Sequence, residues 1–226
     1  MIELSPRLRM IASLVPKCEI AADVGTDHGY LAAWLLQNEI AQRVFASDIH
    51  TGPLMRAKQT AHEQDLTSRM EFHLCDGLQF PGAEQAEAIV LAGMGGETMV
   101  SILQAAPWAW SDTMLILQPQ SKHNLLYSFL RAHQIPITQA KLCKDAGKRY
   151  LAFRAGADGD LNMTVEDLLC QEHDPLFPEY LDFETQRIAR ALSGMESAAR
   201  NMEQEKEALR QERDYLKRYE KAVEAW

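Results

Sequence analysis

At 226 residues and 46% apolar composition, the chain is long enough for one sizeable domain with a small appendage, and apolar enough to bury a core. It contains no run of 18 apolar residues, which excludes an ordinary membrane-spanning helix, and its first residues, MIELSPRLRMIASLV, lack the apolar core and small-residue cleavage site of a signal peptide. A formal net charge of −9 argues against a polyanionic partner, yet the charge is uneven: between Leu117 and Arg154 seven bases stand against Asp145 alone.

Ser5-Pro6 followed by Leu8, Ile11, Ala12 and Val15 predicts a capped amphipathic helix, with Ser5 at N-cap and Pro16 ending it. Short apolar runs then recur at Ile20–Val24, Val44–Ser47, Met70–Leu74, Ala88–Leu91 and Met114–Leu117. Between them lie helical spacings such as Tyr30/Leu31/Trp34/Leu35 and Leu54/Ala57/Lys58/Ala61. Strands alternating with helices imply βαβ units, hence a parallel sheet covered on both faces. One more helix is expected over about Asn124–His133, then two strands near Ile137–Leu142 and Tyr150–Phe153 joined by the turn Asp145-Ala146-Gly147. An antiparallel hairpin would close the sheet there. Cys18, Cys75, Cys143 and Cys170 are widely spaced with no CxxC pair, so neither zinc nor a disulfide framework is indicated. Buried reduced thiols in a cytoplasmic protein are expected.

Ala155-Gly156-Ala157-Asp158-Gly159-Asp160 reads as a polar linker, dividing a domain over 1–158 from an arm over 159–226. Thr164-Val165-Glu166-Asp167 marks a helix start. From Ile188 apolar residues recur every seven positions, at Met195, Met202, Leu209, Leu216 and Val223, with Leu192 and Ala199 as a second row. That phase allows one helix of about 36 residues, roughly 54 Å long. Asn201 before Met202-Glu203-Gln204 could instead cap a new helix, and a helical hairpin turning near Arg200–Asn201 is the preferred expectation.

Asp23-Val24-Gly25-Thr26-Asp27-His28-Gly29 follows the first strand and leads into a helix. A glycine in such a turn lets a ligand approach the backbone. The dinucleotide fingerprint would need glycines where Asp27 and Tyr30 stand, so pyrophosphate is a poor fit. Two acids suit a ligand carrying an ammonium. Asp48 closes the second strand 23 residues after Gly25, near the distance at which an acid meets ribose hydroxyls. Asp76-Gly77 closes the third strand and Ala92-Gly93-Met94-Gly95-Gly96 the fourth. Acids and glycines thus gather at the edge where open α/β sheets bind ligands, and Gln118-Pro119-Gln120 would face the same rim. His28, His50 and His123 have no metal-ligand spacing.

LSPRLRMIASLV, DVGTDHGYLAAWL, SDI, CDGL, AIVLAGMGGETMVSIL and LILQPQ, in this order, resemble the bacterial tRNA (adenine(22)-N1)-methyltransferase family, which modifies an adenine in the tRNA D-arm. The resemblance covers roughly residues 4–154, and AGMGG and LILQPQ are its most specific parts; residues 175–226 match the family's helical hairpin in character only. It implies a class I, Rossmann-like S-adenosylmethionine-dependent methyltransferase fold with a C-terminal coiled-coil arm. It maps Asp23, Gly25, Thr26, Asp27, His28 and Gly29 to the cofactor turn, Asp48 and Ile49 to the ribose side, and Asp76 and Gly77 to the adenine side. Ala92, Gly93 and Met94 map to the floor between cofactor and target base.

Methyltransferases directed at exocyclic amines usually carry Asn/Asp-Pro-Pro-aromatic after the fourth strand; here Ala92–Gly96 offers no side-chain acceptor. A ring nitrogen such as adenine N1 has an in-plane lone pair and needs no strong base, so positioning suffices. Tyr30 and Asp76 are the candidates for orienting the base; the alternatives are a Tyr30 packed on the sheet and an Asp76 that serves the cofactor alone. The basic 117–154 segment and the arm would hold tRNA by phosphate and shape, with Arg7, Arg9, Lys122, Lys144, Lys148 and Arg149 as candidate contacts, or Arg7, Arg9 and Lys17 in their place. No metal and no membrane are expected, and a monomer or weak homodimer is left open. Two rival readings remain: a methyltransferase for a non-RNA substrate, and a non-catalytic RNA-binding or oligomerising module on a degenerate fold.

Overall fold

The apolar runs of the first 120 residues are the strands of one sheet, and their nearly continuous burial follows from helices on both faces. A computed structural model describes residues 2–156, 159–196 and 203–226. Strands β1 (Cys18–Val24), β2 (Ala41–Asp48), β3 (Met70–Leu74), β4 (Ala88–Met94) and β5 (Met114–Pro119) are parallel. With β6 (Ile137–Asp145) and β7 (Lys148–Ala155) they form the order β3-β2-β1-β4-β5-β7-β6. β7 is antiparallel to both β5 and β6, so the expected hairpin does close the sheet, with β7 between β5 and the edge strand β6.

The hairpin strands run longer than the apolar pattern indicated, because the ladder continues from Ala140↔Phe153 out to Asp145↔Lys148. Ala146 and Gly147 alone form its loop, both at positive φ (47° and 75°), the two-residue geometry that matches strand twist. Since Phe153 pairs with Leu117, the tip projects roughly 10 Å beyond the carboxyl edge of β5 at about 3.3 Å per residue.

Helix α1 (Pro6–Ala12) begins as expected: Ser5 accepts from the Leu8 amide at 3.4 Å, and Pro6 occupies the first turn. It stops before Pro16, because Ser13 Oγ donates to the Met10 carbonyl at 2.7 Å and the chain tightens through Leu14 and Val15. Helices α2 (Tyr30–Gln37) and α3 (Thr51–Glu63) cover one face, and α4 (Gly96–Ala105) and α5 (His123–Ala132) the other, as right-handed crossovers from a central β1/β4 pair require. Between the faces lie Ala21, Val44, Val90, Leu91, Ile116 and Leu117, all fully buried.

The chain divides into two compact units, Met1–Val165 and Glu166–Trp226. The second contains most of α6 (Val165–Gln171), then α7 (Phe177–Glu196) and α8 (Glu203–Val223). Arg187 of α7 bonds Glu212 of α8 at 2.5 Å, while Phe177 meets Tyr219 edge-on, so the two helices run antiparallel. One uninterrupted helix is therefore excluded; the turn expected at Arg200–Asn201 lies outside the described residues. Ile188 and Leu216 of the seven-residue row are buried. The base is pinned by the Tyr219 hydroxyl donating to Asp167 at 2.7 Å, and Glu166, whose pKa burial raises, accepts from Tyr180 at 3.4 Å.

Among the described residues no helix is long and apolar enough to cross a membrane, and no group of three His, Cys, Asp or Glu side chains is arranged to hold a metal ion. All four cysteines are free but only half-buried, a correction to the expectation of burial. Cys18 opens its strand and Cys143 lies on the edge strand, so both pack against the core only from its margin, and Cys75 follows β3 in the loop.

Candidate active site

Connections leave β1 toward β2 and leave β4 toward β5, so a crevice opens between the carboxyl ends of β1 and β4. Gly25 and Gly93 form its two lips. Gly25 (φ +78°) lets the chain turn sharply, and its amide donates to the Ser47 carbonyl at 2.8 Å, tying the turn to β2. A Cβ there would stand 3.2 Å from Met94 Cε. Opposite, the β4/β5 register slips between Ala92 and Met94, leaving Gly93 (φ +79°) as an exposed bulge. The loop after β3 folds back toward α4: Ser47 Oγ donates to the Gly77 carbonyl at 2.9 Å, and a Cβ on Gly77 would lie 2.8 Å from Ile102 Cγ2. Asp76, exposed beside Gly77, is thereby carried in from the sheet edge.

The acids differ in state. Asp23 is almost wholly buried, accepts from Thr26 Oγ1 at 2.7 Å, and has its pKa pushed up to about 6, first by burial and also by the nearby Asp48 charge. Asp27 is exposed at the turn's outer side, where it pairs with Arg56 and stands 3.7 Å from His28 Nε2. Asp48 ends β2 and accepts from the His50 amide at 2.7 Å, which leaves its second oxygen for a ligand. Two large apolar side chains, Ile49 (59% exposed) and Leu74 (57%), flank it in an unusual degree of exposure. Tyr30, the first residue of α2, is 44% exposed and stacks on His28 at 5.2 Å and 13°. It does not pack on the sheet; Leu31, Leu35 and Leu36 do that.

Residues 4–153 match the model of a methyltransferase domain. The chain belongs to that family. Within it, the chain is 27% identical to the tRNA (adenine(22)-N(1))-methyltransferase of Bacillus subtilis strain 168, over 99% of this chain and 98% of the relative. The crystal structure of the B. subtilis m1A22 tRNA methyltransferase superposes with a TM-score of 0.83 at 26% identity, covering 99% of this chain and all of the other. A Streptococcus pneumoniae protein solved in complex with S-adenosyl-L-methionine gives 0.80 at 26% identity over 98% and 100%.

Within this methyltransferase domain, the turn 23–29, Asp48, Ile49, Asp76, Gly77 and Ala92–Met94 gather along the carboxyl edge of β3, β2, β1 and β4. Tyr30 and Asp76 approach it from different strands. Of the basic candidates, Arg7 reaches the crevice itself: its Nη1 donates to Gln118 Oε1 at 3.0 Å and would stand 3.4 Å from a Gly93 Cβ. Lys122 lies just after β5 at 3.9 Å from Glu97. Lys144, Lys148 and Arg149 cluster at the hairpin tip, and Arg9 turns back to the Leu4 carbonyl at 3.4 Å. Sequence reasoning missed Ser47, Arg56, Leu74 and Ile102. A period-two pattern marks Leu74 as strand without saying that nothing covers it, and the others act across 25 or more residues of chain.

Proposed function

We propose that this chain transfers a methyl group from S-adenosylmethionine to N1 of an adenine in the D-arm of tRNA. The observation that carries the proposal is the end-to-end similarity to the B. subtilis enzyme, helical arm included. The residues present fit the cofactor. Bare glycines at 25 and 93 leave a cradle that a Cβ would narrow, Asp48 has an oxygen free for ribose hydroxyls, and Ile49 and Leu74 offer apolar surface for a purine. Asp23 and Asp27 set negative charge around the turn for an ammonium. When bound, S-adenosylmethionine supplies a methyl group already activated on a sulfonium.

The protein's part is positioning. Adenine N1 carries a lone pair in the ring plane and no proton, so no side chain has to act as a strong base. Gly93 leaves room for the base edge to approach, and Tyr30 and Asp76 are assigned to orienting it, Tyr30 by its exposed ring and Asp76 as an acceptor for the amino group. The product ring is cationic, which the acids at this rim favour. The target adenine must leave its stack, at a cost of a few kcal/mol. The projecting hairpin tip with Lys144, Lys148 and Arg149, together with Arg9 and Lys122, is assigned to tRNA phosphates, whereas Arg7 stands at the lip of the crevice. A cytoplasmic location follows from that substrate. The test is methylation of total tRNA against protein and small-molecule acceptors: incorporation into tRNA alone supports the proposal, and incorporation into another acceptor alone overturns it.

A further inference from the structure

The Arg7 side chain is a cation whose head is held by neutral groups. Its guanidinium donates to the Gln118 side-chain carbonyl at 3.0 Å, and its centre lies 5.7 Å from the centroid of the Tyr150 ring. Gln118 is itself fully buried, so the arginine head is held rather than free to sweep. Asp145 is close in the fold but accepts from the Arg7 backbone amide, at 3.2 Å. Among the described residues no carboxylate lies within ion-pair distance of the guanidinium. Of the five N–H donors of an arginine, Gln118 engages one. The head borders the Gly93 bulge, on the lip of the crevice.

A half-buried guanidinium fixed by neutral partners beside a reaction site has a chemical preference. Its planar fork matches carboxylate and phosphate oxygens, and it is weakly hydrated enough to keep that preference when partly desolvated. It is unsuited to the base itself, because methylation brings positive charge onto the target ring. We propose that Arg7 is the oxyanion seat of this site, with Gln118 and Tyr150 as its positioning residues. The anion is either the carboxylate of the cofactor's amino-acid end or the backbone phosphate of the target nucleotide. This inference rests on the methyltransferase reading above. It also separates Arg7 from the hairpin-tip lysines, which are exposed and act on RNA at a distance from the crevice.

The experiment compares the full chain with Arg7→Gln and Arg7→Lys. Calorimetry measures affinity for S-adenosylhomocysteine and for 5′-methylthioadenosine, which shares the adenosine and thioether but has no carboxylate. Steady-state methylation of an unmodified tRNA transcript gives kcat and KM, and thermal unfolding checks the fold. If the anion is the carboxylate, Arg7→Gln weakens S-adenosylhomocysteine about ten-fold or more and leaves methylthioadenosine unchanged. If it is the phosphate, both affinities hold, while kcat/KM for tRNA falls by at least about ten-fold. In either case Arg7→Lys restores part of the loss, since it keeps the charge without the fork. Wild-type behaviour of Arg7→Gln in every measurement overturns the proposal. So does an equal loss for both ligands accompanied by a lower unfolding temperature, which marks Arg7 as structural. Should the wild-type chain methylate no tRNA, the proposed function fails separately, and an unchanged S-adenosylhomocysteine affinity in Arg7→Gln then overturns the seat as well.

Discussion

Thr26 Oγ1 donates to Asp23 Oδ2 across 2.7 Å, tying a carboxylate almost wholly buried at the end of β1 to the turn that follows it. Burial raises the Asp23 pKa from 3.8 to about 6, so between those values the folded protein holds the proton more tightly than the unfolded chain. Stability therefore falls as pH rises through that window, and above it the ionised form costs on the order of 2–3 kcal/mol. A bound ammonium favours the ionised form and reverses the effect. Affinity for S-adenosylhomocysteine should be flat above about pH 7 and fall below about pH 6, by up to about ten-fold per unit. Asp23→Asn should be more stable than wild type at pH 8, bind more weakly there, and lose the pH dependence. Calorimetry from pH 5 to 8 checks this (from about pH 5 to about pH 8, the range spanning the titration); identical profiles for the two proteins would remove Asp23 from the site.

Asp48 should discriminate the nucleoside. One of its oxygens is held by the His50 amide, and the other is proposed to meet ribose hydroxyls. Asp48→Ala is expected to lower affinity for S-adenosylmethionine by about 1–3 kcal/mol through lost hydrogen bonds to a charged group. NAD should not bind wild type, because the turn has Asp27 and Tyr30 where a pyrophosphate cradle needs glycines. NAD binding without a response to either adenosyl ligand contradicts the cofactor assignment.

The two-unit division makes the arm separable. A chain ending at Val165 keeps the seven-stranded sheet and the whole carboxyl rim, so it should fold and bind S-adenosylhomocysteine with unchanged affinity. Its tRNA methylation should fall sharply. Between Glu166 and Trp226 there are nine bases against fifteen acids, so the proposed contribution of the arm is one of shape and selected contacts, not of bulk charge. Methylation at the full rate by the truncated chain assigns the arm to another task.

That charge balance moves the electrostatic attraction onto the sheet domain. An overall −9 repels RNA at long range, but screening confines this to about 8 Å at physiological salt, within which the basic hairpin tip acts. Replacing Lys148 and Arg149 together by neutral residues should weaken tRNA binding and flatten its salt slope by about one to two units, with cofactor affinity unchanged. An unaltered slope shifts the RNA face to another part of the surface, such as Arg9 and Lys17.

The strand positions and the collecting of Asp23, Asp48, Asp76 and Gly93 at one edge were legible in the sequence, because alternation of strands and helices fixes which strand ends share a side. The hairpin loop was legible from Asp145-Ala146-Gly147, though its strands extend further, since ladder pairing carries polar residues such as Lys148 and Arg149 along. What stayed hidden depends on the sheet order and on loops that double back. Gly77 against Ile102, Ser47 beneath Gly77, Arg56 on Asp27 and Arg7 on Gln118 each join segments far apart in the chain. No local period encodes such contacts. The hidden exposure of Leu74 has the same origin: it is a strand residue whose covering neighbour is missing, and that is known only once the sheet is assembled.

Adenine N1 methylation is decided by incubating the full chain with methyl-labelled S-adenosylmethionine and an unmodified tRNA transcript carrying adenine at position 22, followed by mapping of the modified base. Label is expected on that adenine at N1, seen as a reverse-transcription stop because N1 methylation blocks pairing, and none on a transcript with guanine in its place. Label on an exocyclic amine, on another nucleotide, or on no RNA while the protein binds the cofactor would contradict it.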